Sequence, residues 1–107
     1  MDAIANLEKL LATGKDSALL RFGLGNAYLK AGDPARAAEH LAVAVELDPD
    51  YSAAWKLYAK ALSASGQRAQ AIEAYARGID VAQRKGDLQA AKEMTVFLRR
   101  LQRDVVT

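Results

Sequence analysis

Apolar residues recur along this chain three and four positions apart, and short runs of glycine, proline and aspartate interrupt them. Ile4, Leu7, Leu10 and Leu11 mark one face of a short helix over residues 3–13, stopped by Gly14. Asp16 or Ser17 caps a second helix that runs to about Ala31 and ends at Gly32. Asp33-Pro34 follows at once, an N-cap and a first-turn proline. They start a third helix that reaches about Leu47, with Ala38, Leu41, Ala42 and Val45 turned inward. Asp48-Pro49-Asp50 breaks that helix and caps a fourth, from about Tyr51 to Ser65, which Gly66 ends. A fifth runs from about Arg68 to Arg84. After Lys85-Gly86-Asp87 a sixth covers residues 88–103, with Leu88, Ala91, Met94, Leu98 and Leu101 at helical spacing. The turns are short, so neighbouring helices pack antiparallel and the fold is all-α, with six helices.

The pattern also repeats. Laid on residues 52–85, residues 18–51 match at Ala27/Ala61, Gly32/Gly66, Ala35/Ala69, Ala37/Ala71, Glu39/Glu73 and Ala42/Ala76, an offset of 34. Leu41/Tyr75, Val45/Ile79 and Gly25/Ala59 keep size or polarity where identity is lost. A fixed period of this length marks stacked helix–turn–helix units, none of which buries its apolar face alone. The 107 residues form one domain, and no linker divides them.

Composition narrows the chemistry. About half the residues are apolar and alanine dominates, which favours helix over sheet. The absence of cysteine excludes disulfides, thiolate metal sites and a cysteine nucleophile, and His40 alone builds no histidine metal site. His40, near the middle of the third helix, is expected on its outer surface. The N-terminal residues carry acids rather than a basic start before an apolar run, and no stretch reaches the ~20 apolar residues of a membrane span. A cytoplasmic protein away from the membrane, without cofactor or metal, is the expectation. No Ser/His/Asp constellation, carboxylate pair or phosphate loop is visible, so no catalytic residue is assigned and no enzyme is expected. The net charge of +2 is unevenly shared: −3 through Asp50 and +5 from Tyr51 onward. Arg99, Arg100 and Arg103 lack aromatics interleaved for base stacking, which disfavours nucleic acid as partner.

Two sets of nine residues carry a likeness to a known family. Arg21, Leu24, Gly25, Tyr28, Gly32, Ala37, Leu41, Ala44 and Pro49 in the first unit, and Trp55, Tyr58, Ala59, Leu62, Gly66, Ala71, Tyr75, Gly78 and Gln83 in the second, resemble the W-x2-L-G-x2-Y…A-x3-F…P signature of the tetratricopeptide repeat. Gly25/Ala59 and Ala37/Ala71 stand where the helices of a hairpin cross, and larger Tyr28, Leu41, Trp55 and Tyr75 fill the space between layers. Arg21 replaces the aromatic and Gln83 the proline; without the proline the fifth helix is expected to overrun. Ala3, Leu7, Leu10 and Leu11 fall one period before Ala37, Leu41, Ala44 and Val45. The chain thus reads as a half-repeat (3–13), two repeats (18–51 and 52–85) and a closing helix (88–103) with no first-helix signature. As a whole it is similar to small stand-alone bacterial proteins of that family.

The resemblance implies a right-handed α-α superhelix whose first helices line a groove for an extended segment of another protein. It places Leu19, Phe22, Asn26 and Leu29 from the second helix, and Ala53, Lys56, Lys60 and Ser63 from the fourth, on that groove. Asn26 with Lys56-x3-Lys60 resembles part of the lysine and asparagine clamp by which chaperone-binding members hold a terminal carboxylate. The expected function is a protein-binding adaptor or scaffold for an extended acidic segment or C-terminus. The alternative is a structural subunit that self-associates, as a homo-oligomer, or docks into a larger complex through exposed apolar helix faces.

Overall fold

The computed structural model describes residues 2–105. Six helices follow one another, α1 (Ala3–Ala12), α2 (Ala18–Lys30), α3 (Pro34–Leu47), α4 (Ser52–Ala64), α5 (Arg68–Lys85) and α6 (Leu88–Val105), and there is no strand among the described residues. Local chemistry sets their ends. Asp2, Ser17, Asp33 and Asp87 each accept a hydrogen bond from the backbone N–H two or three residues on, at 3.0–3.3 Å, which satisfies a donor that the first helical turn leaves open. Ser17 rather than Asp16 caps α2, because the Asp16 carboxylate is held by Arg21.

The start of α4 differs from the expectation. Tyr51 occupies its N-cap with no side-chain bond, and the Asp48 carboxylate takes the Asp50 N–H within the turn instead. The turn is fastened from inside α4, where the Trp55 indole N–H donates to the Pro49 carbonyl at 2.8 Å. α5 is longer than α3, 18 residues against 14, and Gly86 ends it in the left-handed conformation at φ 77°. A side chain there would be strained; glycine is not.

The helices stack into a right-handed superhelix of 44 × 31 × 20 Å. The hairpins α2–α3 and α4–α5 pack most closely, α3–α4 and α5–α6 join them, and α1 lies lightly on α2 with no residue of its own fully buried. Leu24, Leu41 and Met94 are the largest wholly buried side chains. Small residues make the close crossings. A Cβ on Gly25 would run into Leu41 on α3, and one on Gly78 would come within 2.6 Å of the Met94 sulfur and 2.9 Å of Trp55 Cβ.

Two neighbouring glycines of α2 therefore predict opposite effects. Gly23→Ala puts a methyl at ordinary contact distance, 3.8 Å from Leu7, so it should stabilise by about 0.5–1 kcal/mol through helix propensity. Gly25→Ala forces the methyl against a side chain that cannot retreat, and overpacking of about 1–3 kcal/mol should outweigh that gain. Urea unfolding of both variants checks the signs; a Gly25→Ala protein as stable as the parent contradicts this account of the crossing.

Candidate functional site

The first helix of each hairpin, α2 and α4, turns one strip of side chains to the concave side, and α6 adds a third. Two contacts fix the register of α6: the buried Met94 under Gly78, and Phe97, itself partly open to solvent, stacked on Tyr75 with ring centres 5.9 Å apart. Because α5 is long, α6 begins at Leu88, 36 residues after Ser52, rather than 34. At that offset Ala91, Met94 and Leu98 take the places of Trp55, Tyr58 and Leu62, a first-helix pattern hidden from a search at constant period. The residues in line with Ala53, Lys56, Lys60 and Ser63 are then Gln89, Lys92, Val96 and Arg99, all four exposed. Sequence reading missed them; the overrun implied by Gln83 was the available signal.

Of the expected groove residues, Asn26, Leu29 and Lys60 come together. They line one shallow depression between the C-terminal ends of α2 and α4, with Lys30 and Leu57. Ser63 is half-buried further along α4. Leu19 stands apart, 71% exposed at the start of α2. Phe22 is half-buried and stacked on Tyr51, ring centres 4.9 Å apart, so part of its apolar surface is already used between layers. Lys56 is also engaged: its ammonium donates to Glu93 of α6 at 2.6 Å. Lys30, Lys60, Lys92 and Arg99 have neither an ion pair nor a side-chain hydrogen bond among the described residues.

A broader depression lies on the opposite side, between α3 and α5, lined among others by Val45, Glu46, Tyr58, Glu73 and Arg77. The cations Arg77, in this depression, and Arg84, in the adjoining one, are already matched. Arg77 meets Glu73 at 3.6 Å and lies over Trp55, while Arg84 meets Asp80 at 3.0 Å and Asp50 at 3.6 Å.

A third cluster revises the expectation for His40. Its side chain is only 13% exposed and stacks on Tyr28 with ring centres 5.5 Å apart. Arg21, held by two bonds to Asp16 at 2.8 and 3.0 Å, donates to His40 Nδ1 at 3.1 Å. A guanidinium has no acceptor, so Nδ1 must be unprotonated and the ring's proton sits on Nε2, which faces Glu8 at 3.8 Å. Glu8 in turn accepts from the Tyr28 hydroxyl at 3.1 Å and thereby ties α1 to α2. Arg21, the departure from the family's aromatic, is thus the hub of a polar network that sequence spacing did not disclose.

That network carries a pH dependence. Burial pushes His40 below its ordinary 6.5; Glu8 pulls it part of the way back, and Arg21 presses it down again. The folded state favours the neutral ring, so its contribution to stability is complete above pH 6.5 and is lost as pH falls through the depressed value. Arg21 holds Asp16 below its usual 3.8, so this carboxylate stays ionised in that window. The melting temperature should fall between pH 7 and 5, and fall less in His40→Gln; equal slopes in calorimetry would contradict the tautomer assignment.

The stack and its concave strip are those of a helical-repeat protein, and comparison with known proteins agrees. The tetratricopeptide repeat family model matches residues 28–94. A TPR repeat-containing protein of Pseudomonas aeruginosa is 60% identical over 100 residues, which span 94% of this chain and 95% of that protein. The solution structure of a protein from Bordetella parapertussis is similar with a TM-score of 0.82 and 44% identity, over 97% of this chain and 90% of that one. That of a tetratricopeptide repeat domain protein from Salinibacter ruber is similar at 0.72 and 27%, over 80% and 87%. The chain belongs to the tetratricopeptide repeat family, whose members are typically protein-interaction modules rather than enzymes. Among the described residues no group of His, Cys, Asp or Glu is placed to hold a metal, and no helix is long and apolar enough to cross a membrane.

Proposed function

We propose that this protein is a non-enzymatic interaction module that captures an extended, acidic segment or C-terminus of another protein on the strip formed by α2, α4 and α6. The observation that carries the reading is the distribution of charge partners. On the side of α3 and α5, Arg77 and Arg84 are matched by carboxylates of the same surface, whereas Lys30, Lys60, Lys92 and Arg99 along the first helices are left unmatched among the described residues. Like charges gathered in a concavity repel one another, and an acidic ligand relieves that repulsion. Asn26 supplies a polar anchor, and Leu29 and Val96 an apolar shelf; Ser63 flanks them.

The proposed ligand is bound loosely, at roughly micromolar affinity, because three helices offer little surface and an extended peptide loses entropy on ordering. Self-association has weaker support. The exposed large apolar side chains are spread over four helices: Leu10 on α1, Leu19 on α2, Leu47 on α3, and Leu88, Val96 and Phe97 on α6.

Fluorescence anisotropy with a labelled, Asp/Glu-rich hexapeptide tests the proposal. Binding should weaken at least tenfold in Lys60→Glu/Lys92→Glu and fall steeply as salt is raised. Affinity unmoved by the double reversal sinks the assignment.

A further inference from the structure

Lys56 occupies the middle of the concave strip, in line with Phe22 on α2 and Lys92 on α6, yet its charge is already answered from within the chain. Glu93 follows Lys92 on α6 and reaches across to α4, where its carboxylate lies 2.6 Å from the Lys56 ammonium. The other ion pairs among the described residues, at 2.8–3.8 Å, are longer.

The pair is not what docks α6. Ala91 and Met94 are buried, and the Phe97–Tyr75 stack joins α6 to α5. The Lys56 and Glu93 side chains are 34% and 42% exposed, so water and a ligand's own carboxylate can reach both. A pair this exposed is one that a competing anion can open.

We propose that Glu93 is a built-in competitor: a carboxylate held on Lys56 that an acidic ligand must displace, so that the free groove offers one cation fewer than its sequence contains. The inference rests on the acidic-ligand reading above and adds to it a threshold. A segment with a single carboxylate is left to Lys60, Lys92 and Arg99, and only a ligand with several acids gains enough to open Lys56. The hold of Lys56 keeps the Glu93 carboxyl below its usual range, which gives the bound and released states different titrations.

A double-mutant cycle with the labelled Asp/Glu-rich hexapeptide tests this. Glu93→Gln should bind the peptide about fivefold more tightly than Glu73→Gln, which removes the same charge from the side of α5. Lys56→Ala should weaken binding less than twofold in the parent and more than fivefold in the Glu93→Gln background. Circular dichroism melts of each variant confirm that α6 stays docked. On the unaltered protein, NMR of the Glu93 carboxyl carbon should show its titration moving up when the peptide saturates the groove.

Glu93→Gln binding no more tightly than Glu73→Gln, with a Glu93 titration unmoved by peptide, overturns the competitor while leaving the acidic-ligand reading in place. Failure of the parent and every variant to bind the peptide overturns both.

Discussion

Everything on the concave side depends on how closely α4 and α6 approach α5 at Gly78. With no Cβ in the way, Trp55 and Met94 meet over the α5 backbone, and the wholly buried Met94 fixes both the depth and the rotation of α6. The rotation matters more than the burial. It turns Lys92, Val96 and Arg99 to the same strip as Lys56 and Lys60, and it brings Glu93 within reach of Lys56. Gly25 plays the corresponding part between α2 and α3, where Leu41 fills the space that a side chain would have taken. Close packing allows little slack at such crossings, so the position of a surface charge several turns away follows from a missing methyl group.

The architecture was legible because its signals are local and repeated. Glycine stops, Asp and Ser caps and the 34-residue period each specify a helix or a turn without reference to distant residues, and the small Gly25 and Ala59 announce where hairpins close. The overrun of α5 could be read from Gln83 alone. Its consequence could not, because two extra residues shift α6 out of the period that made α2 and α4 recognisable. The candidate site suffered for that reason: Lys92 and Val96 fall outside the expected groove, and nothing in the spacing pairs Lys56 with Glu93.

The polar clusters were illegible for a different reason. Arg21, His40 and Glu8 come from three helices, and nothing in their spacing says that a guanidinium, an imidazole and a carboxylate converge. His40 read as a surface residue because a lone histidine on a helix usually is one. Its burial arises only when Tyr28 covers one ring face and Arg21 caps one ring nitrogen. Side-chain networks between helices depend on tertiary placement, whereas helix ends depend on neighbours in the chain. Sequence therefore gives more of the scaffold than of the charges on it.

The central claim is that α6 completes a cationic strip begun by α2 and α4. The most direct measurement is a series of 1H–15N correlation spectra recorded while the Asp/Glu-rich hexapeptide is added. The account predicts that amides around Lys60, Lys92, Val96 and Arg99 shift together with one dissociation constant, while those of α3 and the outer face of α5 stay in place. Shifts gathered around Glu73 and Arg77, or a silent α6 beside a responsive α2, would contradict it.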